Sequence, residues 1–360
     1  MRIGIAGAGS VAFGTATLLH ANGQKAMLWS PSGAGTEALK DAPLRAMGAI
    51  ALEFSADIAD TAQDLVEGCD ALIIALPAYG HMAVMDALVP HIRGGQHVII
   101  SSHASMGAVY LAQALRERGV HAPITAWGTT VVTGRRQDET AVQVNTVRSR
   151  VDLCTVPDSQ SEAALTLCQT LFGDRFHPRD GLLAISLSNL NPQNHLGIAL
   201  GNITRMERGE AWSQGQNVTP NVGRLLEQLD LERLAIAKAL GLDVKTIFQH
   251  FHLSFHVPVA SISEMNQQMH VQGNGGAGPA TADSRYVTED VPYGLQLTAV
   301  LGRLVGKPAT LHDAGIDIFS AMYGRDFRTE NDLLNALKLD GFGLDELQQA
   351  ARTGLLTVMP

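Results

Sequence analysis

The first fourteen residues constrain the fold more than any other part of the chain. The stretch IGIAGAGSVAFG sets an apolar run directly before Gly7, Gly9 and Ala12 in the G-x-G-x-x-G/A arrangement, and it continues into the helix-like text SVAFGTATLLHANG. Strand, glycine turn and helix in that order open a βαβ unit. Gly7 permits the tight turn, Gly9 lets the backbone approach a pyrophosphate, and Ala12 keeps the helix close to the strand. The amides near Ser10 and Val11, at the start of that helix, then meet negative charge. A lone glycine motif is weak evidence, but at the head of a complete βαβ rhythm it has the context that confirms a dinucleotide site.

That rhythm runs to about residue 130. KAMLWS, DALIIAL, QHVIISS and APITAWG read as strands, with AYGHMAVMDALVPHI and SMGAVYLAQALRERG as helices between them. Such crossovers require a parallel sheet, and strands as uniformly apolar as DALIIAL and HVII belong in a sheet covered on both faces. The expected fold is α/β: a doubly wound, mostly parallel Rossmann domain over residues 1–179. Within it, the β-branched alternation of TAVQVNTVRSRVDLCTV predicts antiparallel strands appended to the sheet, followed by a helix at SEAALTLCQTLFG. From residue 180 to 360 helical periodicity dominates, so the second domain is expected to be mostly α-helical and to carry substrate and catalysis. In NVGRLLEQLDLERLAIAKALGL, Leu225, Leu229, Ile236 and Leu240 form a stripe, Gly241 ends the helix and Asp243 is placed to cap the next.

A chain of 360 residues suits two domains better than one core. Its formal charge of −9, without a basic run, argues against nucleic acid and anionic membranes as partners. No apolar run reaches the ~20 residues needed to span a bilayer, and the N-terminal glycines fit a nucleotide fingerprint better than a signal peptide. Cys69, Cys154 and Cys168 are widely spaced with no CxxC, which fits reduced, buried thiols in a cytoplasm.

The second strand ends in LWSPSG, so Ser30 and Ser32 stand where an NAD enzyme usually offers an acid to the ribose hydroxyls. The arginine expected beside a 2′-phosphate is not adjacent either, which leaves NAD or NADP open with a slight lean to NADP. Leu76 and Pro77 after IIAL, and Ser101 to His103 after HVII, are placed to border the cofactor, because ligands sit outside the carboxyl ends of parallel strands.

Reduction of a carbonyl or imine also needs a proton donor, and histidine matches neutral pH best. His195, in SLSNLNPQNHLG, falls where one domain gives way to the other and is expected to face a cleft there; His103 ranks below it. In HFHLSFH, His252 and His256 share a helix face, but His250 and His252 point apart and no carboxylate motif accompanies them, so no metal is expected.

The packet SRYVTEDVPYG (284–294) follows the loose GNGGAGPATAD. On residues alone, Asp290 could be a helix N-cap, Arg285 a partner of Glu289 or Asp290, and Glu289 either a residue supporting the site from behind or a solvent-facing one. Taken with the NPxxH of Asn191–His195 and the helix LERLAIAKALG, the packet resembles the opine dehydrogenase family, the octopine dehydrogenase-like NAD(P)-dependent enzymes. The resemblance spans both domains to about residue 325. It implies reductive condensation of an amino acid with an α-keto acid such as pyruvate, with His195 and Asp290 as catalytic pair and Arg285 as substrate-carboxylate arginine. Rival readings are another two-domain dehydrogenase, glycerol-3-phosphate or ketopantoate reductase-like, and a non-catalytic dinucleotide sensor. The first usually depends on an active-site lysine. The amino acid, the physiological direction and the oligomeric state, a homodimer included, stay open.

Overall fold

The computed structural model of the chain describes residues 1–356. It separates into two compact units, Met1–Ser186 with the segment from Asp345 on, and Leu187–Leu344. The division differs from the one expected at residue 179, most of all at the C-terminal end. The helix Leu344–Thr353 buries Leu347, Ala350 and Ala351, and its Arg352 pairs with Asp180 of the first unit at 2.7 Å. An amphipathic helix reads the same whichever core it covers, so periodicity could not assign it.

The strands of the first unit are β1 (Arg2–Ala6), β2 (Lys25–Trp29), β3 (Leu44–Gly48), β4 (Leu52–Phe54), β5 (Asp57–Ile58), β6 (Ala71–Ile74), β7 (His97–Ile100), β8 (Ile124–Trp127), β9 (Val132–Arg136), β10 (Ala141–Val147), β11 (Val151–Val156) and β12 (Phe176–Pro178). The main sheet runs β12-β11-β8-β7-β6-β1-β2-β5, parallel from β8 to β5, with β11 antiparallel to β8. Every residue of β6, β7 and β8 is buried, as their mostly apolar text requires, and the two polar side chains among them, His97 and Thr125, bond each other at 2.6 Å. The strand order reverses between β1 and β6, and the carboxyl ends there form the crevice where such sheets take ligands.

Of the two strands expected to extend this sheet, only β11 does so. β10 pairs with β9 and β3 in a separate four-stranded sheet, β4-β3-β10-β9. The helix Ser10–Ala21 explains the departure: it is buried continuously from Ala12 to Leu19, so one sheet cannot cover it. The small sheet closes its other side. At Gly14 a Cβ would stand 2.8 Å from a Val132 methyl, so only glycine allows the helix and β9 to approach this closely. Cys69, Cys154 and Cys168 are buried and free, and burial pushes the Cys69 and Cys168 thiols up to about 12, as expected for inert packing residues.

The second unit is helical and packs Leu196, Leu226, Leu229, Phe251 and Phe319 into one core. Helix Pro220–Ala239 buries Leu229 and Ile236 along the expected stripe. The following helix, Ile247–Phe255, is capped by a reciprocal Thr246–Gln249 box and not by Asp243, because Thr246 lies immediately before its first turn. Beneath these helices Asp230 accepts from Gln193 Nε2 (2.9 Å), Arg233 Nε (3.0 Å) and the Ile247 amide (2.9 Å), while Arg233 also donates to the carbonyls of Leu187 and Lys245. A buried ion pair is tolerated when its remaining donors and acceptors are met. This one ties the Gln193 turn to two other elements. Among the described residues, no helix is long and apolar enough to cross a membrane.

Candidate active site

Helix Asn191–Glu207 starts with Pro192 in its first turn and buries Pro192, Gln193 and Asn194. The buried Gln193–Asp230 bond and the Leu196 contact with the core hold this turn, so His195 projects from a rigid base with 18% of its side chain exposed. The second contributor is SRYVTEDVPYG. Ser284 caps the short turn Arg285–Thr288, and the chain passes Asp290 into a wide π-type turn, Val291–Leu295, that leads to helix Gln296–Leu304.

Asp290 stands at the head of that wide turn, yet its side chain makes no capping bond. Its Oδ2 instead accepts from Nδ1–H of His195 at 2.7 Å. The plain N-cap reading is thus replaced by a carboxylate–imidazole pair between residues 95 apart in sequence. Tyr286 lies flat on the histidine, with ring centroids 3.5 Å apart and planes within 10°. Its hydroxyl donates to Gln214 Oε1, and burial, with Asp290 nearby, pushes the phenol up to about 12.

Arg285 behaves differently. Its side chain is 65% exposed and its Nε pairs with Glu289, whose own side chain is only 12% exposed. Of the two readings of Glu289, the supporting one fits its low exposure and its pairing with Arg285. Tyr293, the other tyrosine of the packet, donates to the Glu330 carbonyl and Asp332 and is a packing residue. His252 Nδ1 donates to the Val257 carbonyl and His256 ends the helix in the left-handed region, so these histidines serve a helix terminus. Among the described residues no group of three or more His, Cys, Asp or Glu is arranged to hold a metal ion.

The first unit carries the nucleotide loop. Gly7 sits at φ +145°, donates to the Trp29 carbonyl at 2.8 Å, and leaves no space for a side chain, since a Cβ would stand 2.2 Å from the Ala75 oxygen. Gly9, by contrast, is exposed, and a Cβ there would meet nothing within 4 Å. The helix start at Ser10, Val11 and Ala12 has no side-chain cap and no acid in its first turn. Open space before uncapped amides fits a pyrophosphate.

Ser30 Oγ lies 3.4 Å from Ser32 Oγ at the end of β2. The arginine missing from that stretch of sequence arrives from β9. Arg136 donates to the carbonyls of Ala8 (2.8 Å) and Gly35 (3.3 Å) and lies over the Phe13 ring. Ala8 belongs to the fingerprint and Gly35 to the loop after β2, where a Cβ would approach Ser30 Oγ to 3.3 Å. Nothing local in the text around Arg136 marks it.

Leu76 and Pro77 are half-buried just beyond β6, and the Leu76 carbonyl accepts from His81 Nε2 at 3.0 Å. His103 accepts from the Ala108 amide at 3.2 Å, and burial, with His81 nearby, lowers it to about 3. Burial thus keeps its ring a weak base near neutral pH. Ser101 Oγ and the Nδ1 atoms of His81 and His103 are buried without protein partners around the carboxyl ends of β6 and β7, polar atoms suited to a bound group there.

Residues 178–323 match the family model for the NAD/NADP octopine/nopaline dehydrogenase α-helical domain, and residues 3–153 match that for ketopantoate reductase PanE/ApbA. Opine dehydrogenase from Arthrobacter sp. (strain 1C) is 33% identical over 284 residues, covering 77% of each chain. The structure of octopine dehydrogenase with NADH and L-arginine superposes with a TM-score of 0.81 at 17% identity, covering 97% of this chain and 98% of the other. Yersinopine dehydrogenase bound to NADP+ gives 0.69 at 16% identity, with 98% of each chain covered. A PanE/ApbA ketopantoate reductase from Ralstonia eutropha gives 0.60 at 16% identity, covering 92% and 99%. The rival dehydrogenase type thus matches by family model in the nucleotide half, while the helical half matches the octopine/nopaline type.

Proposed function

Since this chain belongs to the opine dehydrogenase family of NAD(P)-dependent oxidoreductases, we propose that it condenses an amino acid with an α-keto acid such as pyruvate through an imine, or oxidises the product in reverse. The observation that carries the chemistry is the His195–Asp290 bond. A carboxylate on Nδ1–H fixes the ring's orientation and tautomer, leaving Nε2 to serve the reacting atoms. In the condensing direction the amine adds to the keto carbon, and Nε2–H gives its proton to the resulting hydroxyl, which departs as water and leaves a protonated imine; solvent then returns a proton to the ring. The reduced nicotinamide, when bound, supplies the hydride that converts the imine to a secondary amine.

Arg285 is assigned to a substrate carboxylate. Its pairing with Glu289 at an exposed position is a cheap contact to exchange, and its planar fork matches a carboxylate in a way that lysine does not. Arg285→Lys is expected to raise the Michaelis constant for the keto acid or amino acid roughly ten- to a hundredfold while leaving that for the cofactor unchanged. Equal effects on both would remove the assignment.

For the cofactor we favour NADP. The end of β2 offers two serine hydroxyls and no carboxylate, and Arg136 brings a cation against the adjoining Gly35 carbonyl. Free, buried thiols suit a reducing cytoplasm. The decisive experiment follows NADPH and NADH oxidation with keto acids against a panel of amino acids. Oxidation that requires both substrates, and runs better with NADPH, is the expected result. Oxidation driven by a keto acid alone would refute the condensation and favour a simple keto-acid reductase.

A further inference from the structure

Tyr286 lies flat on His195 and closer than aromatic pairs usually stand: centroids are ordinarily about 4.5–7 Å apart, offset or edge-on, whereas these lie 3.5 Å apart and within 10° of parallel. From this geometry we infer that Tyr286, anchored through its hydroxyl to Gln214, is a positioning residue that clamps the His195 ring and directs its Nε2 at substrate. The inference rests on the proposed proton-donating role of His195 for its catalytic meaning, but the stack itself is independent of substrate.

Each partner constrains a different freedom of the histidine. Asp290 bonds Nδ1 in the ring plane, which sets rotation within that plane. Tyr286 covers one face, which prevents the ring from tilting out of it. The tyrosine is in turn fixed at both ends, by the Ser284-capped turn at its backbone and by Gln214 at its hydroxyl. The charges of the neighbouring elements are accounted for. Arg285 and Glu289 on the tyrosine's own segment pair with each other, and Asp230 and Arg233 of helix Pro220–Ala239 are paired beneath the Gln193 turn. Asp290 is the charged group bonded to the ring.

The test compares Tyr286→Phe and Tyr286→Leu in the full chain, with unchanged thermal unfolding as the check on folding. Leucine should lower kcat about ten- to thirtyfold with little change in cofactor binding or in the Michaelis constants of the substrates. Phenylalanine keeps the face and should cost only a few-fold in kcat, from the lost Gln214 anchor. If phenylalanine lowers kcat as far as leucine, or leucine leaves kcat unchanged, the stack does not position the ring. Proton NMR of the wild-type protein without substrate gives a reading that survives a misfolded variant. The His195 ring protons, assigned by their absence in His195→Gln, should be displaced upfield by the tyrosine ring current. Unshifted His195 signals would overturn the inference. Lack of turnover with any amino acid and keto acid would instead refute the reaction and leave the stack standing.

Discussion

Replacing His195 by alanine lowers kcat by about 10²–10⁴, the contribution ordinarily made by a positioned acid–base group. The loss should fall on kcat and kcat/KM together, because a proton transferred in the transition state is absent from the ground-state complex. Cofactor affinity, measured by quenching of reduced-nicotinamide fluorescence, should change less than about threefold, since the fingerprint residues belong to the other compact unit. Added imidazole should restore part of the rate, as the variant leaves a space beside Asp290 with the carboxylate still in place. A kcat within tenfold of wild type would show that another group supplies the proton. His103, lowered to about 3 by burial, could not readily take that part near neutrality.

The second large effect lies at Gly7. Alanine there must adopt φ +145° and place its Cβ 2.2 Å from the Ala75 carbonyl oxygen, which is backbone and cannot rotate away. Left-handed strain and overpacking together cost roughly 3–5 kcal/mol, and for a domain of this size that lowers the midpoint of thermal unfolding by about 10 °C. Relief of the clash would push the glycine loop away from β6, so NADPH affinity should fall at least a hundredfold. Ala at Gly9 supplies the contrast, because its Cβ meets no protein atom. That variant should fold normally and lose affinity only through the volume it takes from the pyrophosphate. Equal thermal stability of Gly7→Ala and wild type would contradict the geometry of the turn.

The parts of this molecule that could be read directly were those in which short-range pattern and physics coincide. The alternation of apolar runs with helices required the parallel sheet, and the spacing of Gly7, Gly9 and Ala12 required a tight turn from strand to helix. The packet SRYVTEDVPYG, with NPxxH upstream, resembled one family closely enough for His195 and Asp290 to be paired in advance. Other features depended on contacts that periodicity does not encode. β10 left the main sheet because helix Ser10–Ala21, buried on all sides, needed a second cover. The C-terminal helix went to the first unit, and Arg136 came to the fingerprint across 128 residues. The π-type turn at Val291–Leu295 is likewise unmarked in a segment that looks like an ordinary helix start.

By itself, then, the amino-acid order determined the class of fold, because that rests on residue types at fixed local spacing, while the resemblance to one family pointed to His195 and Asp290 together, a pair the structure joins by a bond. Tertiary structure alone decided which duty each side chain of SRYVTEDVPYG carries out. Asp290 could have capped a turn, but a 2.7 Å bond to His195 uses its charge better than a helix end does. Tyr286 could have been ordinary packing, but it lies on the imidazole, and Glu289 could have faced water, but it holds Arg285. The reason is physical: a side chain's work is set by what stands within about 4 Å of it, and the chain's path through space brings those partners together from sequence positions that carry no local record of one another.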